Sequence, residues 1–302
     1  MKKWALLLLC LLCGVNAWCQ KKDSTKSEPF FKNFQLRQSF QTADQQQSPA
    51  QLQFTLPGDG KNSWLVDAAV SLSVAPLSSG PFTSKIIAEY HRNTIVDAPV
   101  YNYQAGYSFN YLQRGTNNLR LLLTGNVKYI NNLADTNRSF AITLNFAGYR
   151  NALHGLNWDH PFYLDNKKYT YQFSPYLEAQ YQQLSANGAG KSGSIFRPVA
   201  DLSGSFAINK QTVSTGDHKK VKLAAPSKLI ELAVDYTNRY AVINSTGNGE
   251  GFTKLFKAGL NYYFISNSSS SVSMGASYNQ GSDPLNGLKD QRFWQFSLQV
   301  QL

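Results

Sequence analysis

From about Leu52 to the C-terminus, apolar residues recur at every second position in segments of roughly 7 to 15 residues, the period of a β-strand and not of a helix. The last row shows it most clearly. Trp294, Phe296, Leu298, Val300 and Leu302 alternate with Gln295, Ser297, Gln299 and Gln301, so one face is apolar and the other neutral and polar. Tyr101, Tyr103, Ala105, Tyr107, Phe109 and Tyr111 stand in the same way against Asn102, Gln104, Gly106, Ser108 and Asn110. Further rows run from Trp64 to Leu72, Leu119 to Tyr129, Phe140 to Phe146, Tyr169 to Tyr181, Ile230 to Tyr236, Phe252 to Phe264 and Val272 to Tyr278, with a weaker one from Phe196. Residues that accept turn conformations separate them: Pro57-Gly58-Asp59-Gly60, Arg114 to Asn118, Asn187-Gly188, Gly247-Asn248-Gly249 and Ser268 to Ser271. The pattern predicts an all-β chain of about 12 strands, with 10 to 14 as the range.

Alternation alone also suits a soluble sandwich, so the length of the rows and the chemistry of their faces decide. Soluble strands average about 5 to 6 residues, whereas several rows here reach the roughly 10 residues that a tilted strand needs to cross a bilayer. Tyrosine and tryptophan gather at row ends (Tyr101, Tyr111, Tyr129, Tyr149, Tyr169, Tyr181, Tyr240, Tyr262, Trp294), where interfacial girdles sit. Mean hydropathy is −0.34 despite the long apolar rows, as expected when one face meets lipid and the other water. Unpaired backbone groups are costly in lipid, so the sheet is expected to close: an antiparallel, up-and-down transmembrane β-barrel.

The N-terminus carries an export signal. Lys2 and Lys3 precede an apolar run from Trp4 to Leu12 and the small stretch Cys13-Gly14-Val15, with cleavage expected near Cys19. Cutting after Cys19 removes all three cysteines, Cys10, Cys13 and Cys19, with the peptide, whereas cutting after Ala17 keeps Cys19. The expected organisation is a signal peptide over 1–19, a polar periplasmic leader over 20–48 and a barrel over 49–302. With its signal, its alternating rows and its aromatic final strand, the chain resembles bacterial outer-membrane barrel proteins over about 250 residues. That resemblance implies residence among outer-membrane lipids and recognition of Trp294 to Leu302 by the barrel-insertion machinery. Leu302 departs from the family pattern, in which a terminal Phe is commonest.

With the apolar rows turned to lipid, the interleaved charged residues face the lumen: Lys85, Glu89, His91, Arg120, Lys128, Glu178, Arg197, Asp201, Glu231, Asp235, Arg239 and Lys257. A barrel of this size lies between side-chain-filled and channel-forming rings. Two readings stay open: a narrow passive channel for small polar or charged solutes, or an ion-paired network that plugs the lumen, as in a structural or partner-binding barrel tied to secretion or another envelope protein. An enzyme acting on lipids is the third. Its best candidate is Asp159-His160 beside Trp158, which otherwise reads as an aromatic recognition loop.

The formal charge of +11 is scattered and alternates with acids, so nucleic acid is not the expected partner. No metal and no cofactor are expected: only four histidines occur, none at helical metal spacing, and no phosphate-cradling glycine loop precedes a helix. The longest connections, His154 to Lys167, Gln183 to Gly193 and Asn209 to Ser227, are expected to carry recognition. Two of them fall on the side where such barrels normally keep short turns. This points to a missed hairpin or to an early strand near Phe34 to Phe40.

Overall fold

The computed structural model describes residues 34–40, 50–55, 63–74, 80–94, 99–113, 119–150, 161–186, 192–210, 227–247, 251–266, 271–286 and 288–301. Its strands are β1 (Phe34–Arg37), β2 (Ala50–Thr55), β3 (Ser63–Ser73), β4 (Phe82–Asn93), β5 (Val100–Leu112), β6 (Leu119–Asn132), β7 (Asn137–Arg150) and β8 (Phe162–Leu164). They continue as β9 (Tyr169–Ala186), β10 (Gly193–Asn209), β11 (Lys228–Tyr240), β12 (Ile243–Asn244), β13 (Phe252–Ser266), β14 (Ser271–Asp283) and β15 (Leu288–Gln301). The one helical element among the described residues is a single 3-10 turn at Pro284–Asn286.

Neighbours in sequence are neighbours in space. From β2 to β15 the sheet runs antiparallel throughout; β15 returns to β2 and β9 pairs with β10, which closes a barrel of 12 strands. The short β8 and β12 extend the wall outside that ring, on β9 and β10 respectively. Closure returns the last strand to the first and so gives the ring no open side, the arrangement a sheet needs in hydrocarbon, with the β15–β2 joint limited to Phe296–Val300 against Ala50–Phe54.

Burial is inverted relative to a soluble protein. Residues such as Leu177 (62% exposed) and Phe296 (69%) stand on the outer surface, while Asn145 and Ser273 (both 0%) are enclosed. Along β5 the outer Tyr103 and Tyr111 alternate with the buried Asn102, Gln104, Ser108 and Asn110. An apolar belt around a polar interior is stable only when lipid replaces water outside, so the barrel is a transmembrane one.

Alternate connections share an end of the barrel. Those after β3, β5, β7, β10 and β13 lie beside the start of β2 and the end of β15; those after β2, β4, β6, β9, β11 and β14 lie at the opposite rim. The strand ends that bound the long connections, Arg150 of β7 with Phe162 of β8 and Asn209 of β10 with Lys228 of β11, therefore stand at the rim of the start of β2 and the end of β15, and the described wall strands form an unbroken antiparallel ring. Of the two expected sources of the irregularity, the early strand is found, as β1, while the connection before β9 also carries the short β8, which folds back on Tyr169–Tyr171.

The expected leader over 20–48 needs correction at its C-terminal part. Phe34–Arg37 pairs with Ala69–Leu72 of β3, and Gln51–Thr55 pairs with Ser63–Asp67 of the same strand. Thus β1 and β2 are two halves of one wall position, interrupted by residues 38–49. The early strand expected near Phe34 to Phe40 is therefore present as β1, within the C-terminal part of the expected leader. The expected signal peptide and residues 158–160 lie outside the described residues.

The barrel interior as candidate functional site

Two clusters of charge occupy the lumen. The first is centred on Glu89 of β4, whose carboxylate is enclosed by four donors. Lys128 Nζ on β6 lies 2.7 Å from Oε1, and the Phe40 main-chain N–H donates to the same oxygen at 3.0 Å. Ser39 Oγ donates to Oε2 at 2.9 Å and His91 Nε2 lies 3.1 Å from it. His91 Nδ1 in turn sits 3.0 Å from Asp67 of β3. A buried carboxylate is tolerated only with its oxygens paired, and Glu89 meets that condition.

The same cluster anchors the N-terminal segment inside the barrel. Lys85 Nζ donates to Gln35 Oε1 at 3.0 Å and Gln38 Nε2 donates to Asp67 Oδ2 at 3.2 Å. Phe40 is fully enclosed against Ala69 and Ile87, and the Arg37 guanidinium lies 4.0 Å from the centre of its ring. These contacts draw the chain from the wall at Arg37 into the lumen at Phe40.

The second cluster lies on β9, β10, β11 and β14. Arg239 reaches Asp283 Oδ1 at 3.5 Å and donates to the Ser282 carbonyl at 3.4 Å. Thr237 Oγ1 donates to Asp201 at 2.6 Å and also lies 3.2 Å from Asp235. Arg197 donates through both terminal nitrogens to Gln182 Oε1 at 3.1 Å, while Gln182 donates to Ser139 at 2.9 Å. Gln180 donates to Glu178, and nearer the terminus end Lys228 and the Tyr263 hydroxyl both donate to Glu231.

A second inward element crosses the lumen. The turn Pro284–Asn286 buries Leu285 against Ile130 and Ala141 on the far wall, and the Leu285 carbonyl accepts from Asn102 and Gln104, each at 3.3 Å. Main chain thus spans the interior near the rim opposite the termini.

The structure places Lys85, Glu89, His91, Lys128, Glu178, Arg197, Asp201, Glu231 and Arg239 in the interior with almost no solvent exposure. Asp235, Lys257 and Arg120 are part-buried on inward rows of β11, β13 and β6. Trp158, Asp159 and His160 lie outside the described residues. Sequence reasoning missed Asp67, Ser39, Phe40, Asp283 and Leu285. Asp67 was legible from its parity in the Trp64 to Leu72 row. Phe40 and Leu285 had no such signal, because a single apolar residue in a polar connection says nothing about which way the chain folds.

No family model matches this chain, and no curated protein matches it. Among solved structures it is similar to the beta domain of the Bordetella autotransporter BrkA, at a TM-score of 0.44 and 11% identity over 89% of this chain and 98% of that one. It is also similar to the NanC porin, at a TM-score of 0.41 and 9% identity over 84% of this chain and 99% of that one.

Proposed function

We propose that this chain is an integral barrel of a bacterial outer membrane, exported by a signal peptide cleaved near Cys19, whose lumen is closed by its own residues. It then serves as a wall-forming or partner-binding barrel. The observation that carries this reading is the enclosure of the interior: Glu89 is 4% exposed, and the inward charges around it are comparably enclosed. An open water-filled channel would leave such side chains wet. Phe40 from one side and Leu285 from the other supply the apolar contacts that hold the closure.

The outer-membrane assignment is supported by the apolar belt, by the signal and by the alternating final strand Trp294 to Leu302, which is the segment offered to insertion machinery. Planar-bilayer recording tests the closed state. Folded wild-type protein is expected to insert without steady conductance steps, and well-resolved steps at low voltage would sink the proposal.

A second reading, a gated passive channel for small polar solutes, is favoured by one observation. Thr124 Oγ1, both side-chain heteroatoms of Asn145, and Glu178 Oε2 lack a protein hydrogen-bond partner. These three residues are successive cross-strand partners on β6, β7 and β9. A row of unpartnered polar atoms suits water or a hydrated solute. Phe40→Ala opens this reading to measurement, because conductance in that variant alone would make the N-terminal segment a gate. Within the described interior both nitrogens of His91 are engaged by carboxylates, so this histidine has no nitrogen left to activate a nucleophile; the lipid-enzyme candidate Asp159-His160 lies outside the described residues.

A further inference from the structure

We propose that the rim opposite the chain termini carries a site for the phosphate of a membrane-lipid headgroup, centred on Arg92. It rests on the reading of the chain as a membrane barrel. Arg92 belongs to the outward row of β4 with Ile86 and Tyr90, whereas its neighbours His91 and Asn93 are buried inside. An arginine at the edge of a lipid-facing belt needs a reason. Here its guanidinium carbon lies 4.9 Å from the centre of the Trp64 ring and 4.7 Å from that of Tyr101, so it is held between aromatic faces from the two adjacent strands.

Contact with ring faces on two sides shields the cation from water without using up its N–H donors, because an aromatic face is no hydrogen-bond partner of a carboxylate's or phosphate's strength. Among the described residues no carboxylate pairs with Arg92, so its N–H donors meet no described anion. The Tyr101 and Tyr103 hydroxyls lie 2.7 Å apart and share one hydrogen bond, which leaves the other O–H able to donate. Tyr90 packs against Tyr103 with ring centres 5.2 Å apart and fixes the patch from below. A fixed cationic fork, a spare hydroxyl donor and an apolar surface continuing down Tyr90, Ala88 and Ile86 together match a phosphate joined to acyl chains. A free phosphate would use the fork alone and gain nothing from the belt.

Native mass spectrometry of the full chain in detergent, with added dioleoylphosphatidylglycerol or an uncharged galactolipid of the same acyl chains, tests the site. Wild-type protein is expected to retain phosphatidylglycerol selectively, and Arg92→Gln to weaken that retention about fivefold or more. Arg292→Gln is the control: Arg292 is exposed on the outward row of β15 at the same end and has no aromatic ring stacked on it among the described residues. It is expected to change retention less than about twofold. Folding of both variants is checked by heat-modifiable electrophoresis. Equal retention of the two lipids, equal losses in both variants, or displacement of the lipid by inorganic phosphate would each overturn the site; the last would make it a free-phosphate site.

Discussion

Lys128 reaches Glu89 from two strands away, its Nζ 2.7 Å from Oε1, by passing over Gly106 of the intervening strand. Gly106 pairs with Ile87 on one side and with Lys128 on the other, so a side chain there would stand in the path. The pair ties β4 to β6 through space as well as through β5.

Glu89→Gln strips the partner from a buried ammonium and weakens the anchors of Ser39 and Phe40. A loss of about 3 kcal/mol is expected, measured by urea-dependent folding into vesicles. Adding Lys128→Met removes the orphaned charge, so the double variant should recover part of the loss. A single variant within about 0.5 kcal/mol of wild type would show that the pair does not stabilise the barrel.

Gly106→Ala should be far more damaging than Gly204→Ala. A Cβ at position 106 would meet the Val127 carbonyl oxygen at 2.0 Å and the Lys128 Cα at 2.9 Å, both backbone atoms that cannot swing aside. At position 204 the nearest atom is the Gln172 carbonyl oxygen at 3.4 Å, an ordinary contact. The first variant is expected to lose about 1 to 3 kcal/mol and the second to stay near wild type, judged by melting of the heat-modifiable band. Equal melting of the two would contradict the geometry.

Cysteine scanning reports on the turn that crosses the lumen. The chain's three cysteines all fall within its first 19 residues, so with Cys19 replaced by Ser an introduced thiol is the only one in the exported chain. Leu285→Cys should resist a bulky water-soluble maleimide in the folded barrel and react after denaturation, because Leu285 packs on Ile130 and Ala141. Rapid labelling of the folded protein would place the turn outside.

Leu260→Arg separates a membrane barrel from a soluble one. Leu260 is 55% exposed and pairs with the equally outward Leu232 in the middle of β13 and β11. In water such a surface change costs within about 0.5 kcal/mol, whereas a cation facing the bilayer centre costs about 2 to 4 kcal/mol. Vesicle refolding of the variant decides between them.

The wall was legible because strand period and sidedness are local. The rows of Tyr101 to Tyr111 and Trp294 to Val300 state in their own letters which face meets lipid, and the inward charges follow by parity. What stayed hidden depends on contacts far apart in the chain. Leu285 acquires its role from Ile130 and Ala141, and Phe40 from Ala69 and Ile87, none of them near in sequence. The early strand near Phe34 to Phe40 was legible as one of two alternatives, but its four-residue length was not, because the other half of its wall position is supplied by β2.

That divided wall position shapes how the cylinder can be made. The ring closes where β15 joins β2, over Phe296–Val300 against Ala50–Phe54 alone, a short zipper compared with the ladder of β9 and β10. Phe40 hangs on the same stretch of chain that supplies the upstream half of the seam. Stopper and staple are therefore one piece: a force that pulled the stopper free would also loosen the joint that keeps the cylinder from unrolling.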